Sequence, residues 1–430
     1  MIVRPGKRLT GEISLPGDKS ISHRAVMLGS IAAGTTSISN FATSADCAST
    51  MGCFRSLGVN IEQIGTNVTI EGAGKRGLQK PRAALDCGNS GTTMRLMSGI
   101  LAGQRFDSIL TGDESLQSRP MKRVIDPLTS MGGRVESSDG RAPLTIKGSQ
   151  LRGIEYRPPV ASAQIKSCVL LAGLFADGET TVIESTPTRD HTELMLRQFG
   201  VDVRVDHQSD ATRISVSGDA ELLGTTVNVP GDISSAAFFM VAAGSVPGSK
   251  LKLRNVGSNP SRSAILNVLV QLGVRLKVEH HTVNGGEPFG DITIEGGIVQ
   301  TAEPNLLSGP VIANLIDELP VLAVLGTQLE NGLEVRDAQE LRVKESDRIA
   351  SVVTNLKRMG ADVTEFDDGF RISRSKLKGA EIESFGDHRI AMAFAVAGLL
   401  AEGETTIKGA ECVDVSFPGF FEILAEVAAS

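Results

Sequence analysis

The sequence has no Trp and a single Tyr, and aromatic residues make up only 4% of it. A stacking platform for single-stranded nucleic acid needs several exposed rings, so that function is excluded. Basic charge is not in excess either: 43 Lys and Arg stand against 50 Asp and Glu, a formal net charge of −7. A general nucleic-acid binder would be basic. A small anionic ligand stays open, because a local group of cations outweighs an average. The five cysteines form no CxxC pair and no disulfide framework, and the six histidines form no HExxH. No structural or catalytic metal is indicated. No apolar run reaches the length of a bilayer span, and no apolar h-region follows Met1. The expectation is a cytoplasmic chain, with no membrane and no nucleic acid among its partners.

What is present is ordinary for a folded protein: 430 residues, 41% hydrophobic, 22% charged, with 47 Gly. Aliphatic and small side chains must therefore build the core.

One pattern recurs along the whole length. A Gly, Pro or Asn turn leads into a helix of small apolar residues and then into a β-rich stretch. Copies begin near Pro16, Gly88, Pro159, Pro230, Asn314 and Gly386, at intervals of 72, 71, 71, 84 and 72 residues. A fixed period marks a modular architecture. Within each copy a second, amphipathic helix ends at a Gly that reads as a helix stop. Alternating stretches such as NVTIEG, APLTIKG, TRISVSG and GDITIEG read as strands. The repeat is βαβαββ, six times, an α/β chain.

Two copies share nearly the same opening, PGDKS from Pro16 and PGDIS from Pro230. Three units lie between them. This predicts one domain of 1–17 plus 231–430 and another of 18–230, with hinges near 16–20 and 228–232. The strand before Pro16 is expected to pair with the C-terminal half.

The GxGxxG match at residues 72–77 carries no weight, because Pro81 follows and no helix pattern opens there. No P-loop sequence exists. The informative feature is cationic. Lys19, Ser20 and Arg24 open the first helix, and Asn89, Ser90, Gly91 and Arg95 the second unit. Arg119, Lys122 and Arg123 start a further helix. Ser162, Ala163, Gln164 and Lys166 open the third unit, and Arg189 precedes a helix. Arg342, Lys344, Glu345 and Arg348 form a dense alternation, and Arg389 starts the last copy. One such run is ordinarily a solvated face. Cations suit the dipole at a helix N-terminus badly, so their repetition there points to an external anion. The substrate is read as small and multiply anionic, with phosphate and carboxylate groups held by Arg and Lys. Asp317 and Glu345 stand out as acids for proton transfer. Their ordinary alternatives are a helix N-cap for Asp317 and an intrahelical ion pair for Glu345. Asp18 and Asp232 read as N-caps.

Nine motifs carry a resemblance: LPGDKSISHR, GNSGTTMRLM, GDESLQSRPMKR, PVASAQIKS, TRDHTE, PGDISSAAFF, IDELPVLAV, ELRVKESDRI and GDHRIAMA. They span residues 15–395 in order and resemble the 5-enolpyruvylshikimate-3-phosphate synthase family. The resemblance implies an enolpyruvyl transferase fold, a two-domain inside-out α/β barrel with three βαβαββ units per domain. It implies transfer of the enolpyruvyl group of phosphoenolpyruvate to the 5-hydroxyl of shikimate 3-phosphate, with no organic cofactor and a monomeric chain. By the same resemblance, Lys19, Ser20, Arg24, Ser162, Ala163, Gln164, Arg189, Asp317 and Lys344 hold shikimate 3-phosphate. Lys19, Gly91, Arg119, Gln164, Arg348 and Arg389 face phosphoenolpyruvate. Asp317 takes the hydroxyl proton, and Glu345, assisted by Lys19, protonates the methylene carbon. Gly91 is the small residue that leaves room for the inhibitor glyphosate in this family.

Glu340, Ala163 and Val415 depart from the enteric-type pattern, which has Asn, Ser and a phosphoenolpyruvate-binding Lys there. The PGDKSISHR, SAQIKS and DEL forms are similar to the family's second class. A related UDP-N-acetylglucosamine enolpyruvyl transferase would carry a reactive Cys in a mobile loop, and no Cys lies between Arg95 and Arg119. A non-catalytic anion-binding scaffold is the rival from another class.

The hinge reading makes one prediction. Small-angle scattering should show a smaller radius of gyration when shikimate 3-phosphate is added, and an unchanged radius contradicts a hinge.

Overall fold

A helix that is apolar all round must be covered on every side, and small residues let such helices approach closely. The computed structural model, which describes residues 1–6, 8–300 and 303–429, is built around this solution. Contacts divide the chain into two compact units. One is Met1–Pro16 with Pro230–Val283 and Pro288–Ser430, and the other is Gly17–Val229 with Asn284–Glu287.

In the second of these units the repeated small-residue helices are Lys19–Ile31, Gly91–Ala102 and Ala163–Gly173. Nearly every residue beyond their first turn is buried, and the middle helix touches both others. Three four-stranded sheets surround them. Their strand orders are Thr226–Asn228, Ala33–Ser39, Asn67–Ala73, Asn60–Ile64; then Leu85–Asp86, Ser108–Thr111, Arg141–Lys147, Arg134–Ser138; then Glu155–Tyr156, Glu179–Glu184, Thr212–Ser217, Arg204–His207. In each sheet the first pair is parallel and the rest antiparallel.

The other unit repeats the plan. Helices Ile233–Ser245, Leu319–Gly326 and His388–Leu400 are buried and all touch one another. Helices inside and sheets outside invert the usual α/β barrel. No helix among the described residues is long and apolar enough to cross a membrane.

The second helix of a repeat is amphipathic, and its stop signal has a structural cause. Gly58, Gly132, Gly200, Gly273 and Gly360 follow five such helices with φ of 86°, 92°, 88°, 85° and 81°. That left-handed turn is open to glycine at little cost.

Two features depart from simple repetition. Elsewhere a strand immediately before a buried helix pairs with the strand just after it, as Leu85–Asp86 does with Ser108–Thr111. Thr10–Ser14 precedes the helix at Lys19 yet pairs in parallel with Lys250–Gly257. Thr226–Asn228 precedes the helix at Ile233 yet pairs with Ala33–Ser39. The two edge strands are exchanged at the two Pro-Gly points.

The six sheets match the six repeats, and the sixth repeat is the irregular one. After Thr405–Lys408 the chain enters a 3₁₀ turn, Ala410–Val415, and a helix, Phe420–Ala429, instead of a hairpin. Ile2–Val3 fills the place, antiparallel to Thr405–Lys408, in a three-stranded sheet. The final helix shields an aromatic cluster in which Phe420 meets Phe238, Phe239 and Phe417 edge-on.

Glycine also sets how closely the helices approach. A Cβ at Gly99 would lie 2.3 Å from the Cys168 carbonyl oxygen of the neighbouring helix. Backbone cannot rotate away, so Gly99→Ala should destabilise the chain by about 1–3 kcal/mol. Gly52, exposed in the outer helix Ala45–Ser56, has open space where a Cβ would go. Gly52→Ala should instead stabilise by about 0.5–1 kcal/mol. Denaturant titration of both variants checks the contrast, and equal effects would contradict it.

Candidate active site

Lys19, Lys122, Arg348 and Arg389 sit at helix starts, whereas Arg119 and Lys344 follow the ends of short helices. In the unit that contains residues 17–229, Asp18 caps its helix, its Oδ1 accepting from the Ile21 N–H at 2.9 Å. Lys19 is the first residue of that helix, and its Nζ lies 2.8 Å from Asp46 Oδ2. Asp46 belongs to the first turn of the next helix, where its charge also suits the dipole. The sequence reading concentrated on the cations and missed this acid. Its signal was an acidic residue in a first turn following a cationic one.

Arg24 is 4% exposed, which rules out a solvated basic turn. Its Nε donates to Thr192 Oγ1 at 2.7 Å, Nη1 to the Ser20 carbonyl at 2.9 Å and Nη2 to Ser167 Oγ at 2.8 Å. Burial lowers Arg24 to about 10, while Glu193 and Asp18 oppose the shift. The guanidinium thus ties the Lys19 helix to the Ala163 helix and to the helix that follows Arg189.

Ser162 caps the Ala163 helix, accepting from the Ile165 N–H at 3.5 Å, and Gln164 lies in the first turn. Gln164 Oε1 accepts from Arg95 Nη1 at 2.6 Å, and its Nε2 donates to Thr92 Oγ1 at 3.0 Å. Arg95 faces Gly91 as well: a Cβ on Gly91 would lie 3.1 Å from Arg95 Nη1 and 3.6 Å from Arg119 Nη1. Arg119 donates to Asn89 Oδ1 at 2.6 Å and Ser115 Oγ at 3.1 Å. Gly91, Gln164 and Arg119 therefore gather around Arg95, which the sequence reading noted but gave no role.

The other unit holds a second cluster. Arg348 is 1% exposed, and its Nε lies 2.8 Å from Asp387 Oδ2 and its Nη2 3.4 Å from Asp387 Oδ1. Nη2 also donates to Glu345 Oε2 at 2.6 Å, and Nη1 to Asp317 Oδ1 at 3.3 Å. Burial alone would lower the Arg348 pKa, but Asp387, Glu345 and Asp317 together raise it above the ordinary arginine value. Arg389 meets the same Asp317, with Nε 3.5 Å from Oδ1 and Nη1 donating to the backbone carbonyl at 3.1 Å. Half-buried Lys344 completes the group. Burial pushes its pKa down, with the Arg348 charge adding to that and Asp317 and Glu345 opposing it.

Both alternative readings of the acids are now decided. Asp317 is not the N-cap of Leu319–Gly326; Glu318 occupies that place. Asp317 lies in the turn between Val311–Leu315 and that helix. The Glu345–Arg348 pair exists, but it is not intrahelical. The helix begins at Arg348, capped by Asp347, and the charged run from Arg342 opens at the end of a 3₁₀ turn, Gln339–Val343. Glu345 thus lies between the 3₁₀ turn and the helix. Asp387 lies in the GDHRIAMA motif at the head of the helix His388–Leu400. It caps that helix, its Oδ1 accepting from the Arg389 N–H at 2.9 Å, while holding Arg348.

Chemically, the first cluster holds Lys19 with a carboxylate and Arg24, Arg95 and Arg119 with hydroxyl, amide and carbonyl oxygens, and the second places three acids on one buried arginine. That arrangement suits an anionic substrate and proton transfer. Helices inside three-sheet units, with cations at their heads, define an enolpyruvyl transferase fold. The enolpyruvyl transferase NikO from Streptomyces tendae superimposes with a TM-score of 0.80 at 17% identity, covering 99% of this chain and 96% of that one.

The family model for EPSP synthase (3-phosphoshikimate 1-carboxyvinyltransferase) matches residues 3–424, and the chain belongs to that family. A 3-phosphoshikimate 1-carboxyvinyltransferase of Koribacter versatilis is 52% identical over 427 residues, 99% of this chain and 98% of that protein. One from Desulforamulus reducens is 50% identical over 431 residues, 99% of each. The structure of EPSP synthase from Acinetobacter baumannii superimposes with a TM-score of 0.86 at 46% identity, covering 99% of this chain and 97% of that one.

The same PGDKSISHR segment makes a pH prediction. His23 is fully buried, and its Nδ1 lies 2.7 Å from Thr50 Oγ1. Burial, then the Lys19 and Arg24 charges, push its pKa well below 6.5. Unfolded His takes a proton near pH 6.5 while the folded one stays neutral. Stability is therefore full above that pH and falls below it by about 1.4 kcal/mol per pH unit. Denaturation at several pH values should show a slope one proton smaller in His23→Gln. Equal slopes would contradict a neutral buried His23.

Proposed function

We propose that the chain transfers the enolpyruvyl group of phosphoenolpyruvate to the 5-hydroxyl of shikimate 3-phosphate, and that both clusters serve this reaction. Lys19, Ser20, Arg24, Ser162, Ala163, Gln164, Arg189, Asp317 and Lys344 bind shikimate 3-phosphate. Lys19, Gly91, Arg119, Gln164, Arg348 and Arg389 bind phosphoenolpyruvate. Each motif is needed once, so a single chain is the working unit. The five unpaired thiols suit the reducing cytoplasm.

The chemistry is addition and elimination. Asp317 takes the proton of the 5-hydroxyl as its oxygen bonds to C2 of phosphoenolpyruvate. Glu345, assisted by Lys19, delivers a proton to C3, giving a tetrahedral ketal phosphate. The C–O bond to phosphate then breaks, the proton held by Asp317 passes to the departing phosphate, and Glu345 takes a proton back from C3 to form the enol ether. Cations around the departing phosphate stabilise its developing charge. The observation that carries this reading is the single buried Arg348 that holds Asp317 and Glu345 together, at 3.3 and 2.6 Å. It supports two acids acting on one substrate pair.

The test is phosphate release. It should require both substrates, and no release with both present would end the enzyme reading. Asp317→Asn and Glu345→Gln should each lower kcat by about 10²–10⁴ while binding of shikimate 3-phosphate persists. Unchanged kcat in either variant would remove that residue from proton transfer.

Glyphosate should inhibit in competition with phosphoenolpyruvate. Gly91→Ala sets a methyl group against Arg95 and Arg119, at 3.1 and 3.6 Å, and should weaken that inhibition. Activity unchanged at saturating glyphosate and low phosphoenolpyruvate would contradict this.

A further inference from the structure

We propose that Lys166 is a positioning residue for Arg189, and that it thereby sets the affinity for shikimate 3-phosphate. The inference rests on the assignment of Arg189 to that substrate.

Lys166 lies inside the helix Ala163–Gly173, with 1% of its side chain exposed. An ammonium there has three donors to satisfy. Its Nζ lies 2.9 Å from Glu184 Oε2 and 2.7 Å from Glu193 Oε1, and donates to the Thr188 carbonyl at 3.3 Å. These three partners bracket Arg189. Glu184 ends the strand Glu179–Glu184 and also accepts from the Thr188 hydroxyl. Glu193 is in the first turn of His191–Gln198. The connection that carries Arg189 is therefore tied on both sides to one buried cation. That cation stands on the helix whose head holds Ser162, Ala163 and Gln164.

Two carboxylates on one ammonium would leave excess negative charge. Arg24 supplies the missing cation, bonded to Ser167 and Thr192, the neighbours of Lys166 and Glu193. The Glu193 charge in turn works against the burial that lowers Arg24. The buried set is then two cations and two carboxylates. A well-packed apolar group would fill such space with no desolvation cost. What the ionic group adds is direction: a fixed distance between the helix head and the Arg189 connection.

Steady-state kinetics on the full chain tests this. Lys166→Met should raise the KM for shikimate 3-phosphate about tenfold, with kcat and the KM for phosphoenolpyruvate within about twofold. In an Arg189→Ala background the same substitution should add less than about twofold, because it acts through that guanidinium. An unchanged KM with a lower melting temperature, or effects that multiply in the double variant, would overturn the proposal. Should Lys166→Met fail to fold, Thr188→Val loosens the same connection by removing the hydroxyl bonded to Glu184. It should raise the same KM several-fold, and no change would overturn the proposal as well. Wild-type protein without turnover would defeat the underlying assignment, whereas wild-type turnover with an unshifted KM defeats only the role of Lys166.

Discussion

A cation at the N-terminus of a helix faces the positive end of the dipole, a misfit of about 0.3–1 kcal/mol at an exposed site. Lys19 and Arg348 each open a helix, and Arg389 lies in the first turn of another. The chain holds them there with Asp46, Asp387, Asp317 and Glu345. The site depends on this constraint. Carboxylates keep the cations in place without a ligand, and two of the same carboxylates are the proposed proton carriers. Arg348 shows the balance most plainly: burial opposes its charge, and three acids outweigh the burial.

Within each unit the buried helices lie side by side. Small residues let the buried helices lie close where their backbones meet. Where Gly99 meets Cys168 there is no room for a methyl group. The exchanged edge strands, Thr10–Ser14 and Thr226–Asn228, complete the sheets at the two places where the chain passes from one unit to the other. The core also buries charged side chains, among them Arg24, Lys166, Arg262 and Arg348.

Much of this was legible in the sequence. The repeat period, the glycine stops and the capping acids Asp18 and Asp232 are local signals, and they hold because their physics is local. The family resemblance rested on nine ordered motifs and extended to the fold. What the sequence did not disclose depended on distant partners. Asp46 and Lys19 are 27 residues apart, and Asp387 and Arg348 are 39 apart. No periodicity links such positions. Asp317 looked like a cap because it precedes an apolar helix, but Glu318 takes the cap position one residue later. The charged run from Arg342 looked helical, yet a 3₁₀ turn ends at Val343 and the helix waits for Asp347. The last repeat looked complete because its hairpin strand is supplied by Ile2–Val3, at the far end of the chain.

The central claim is that carboxylate-held cations at helix heads form the anion site. A crystal structure with shikimate 3-phosphate and glyphosate bound tests it most directly. The account predicts ligand oxygens within hydrogen-bond reach of Lys19, Arg189, Arg348 and Arg389, with Asp387 still holding Arg348. Ligands bound away from those four residues, or an Arg348 that has left Asp387, would contradict it.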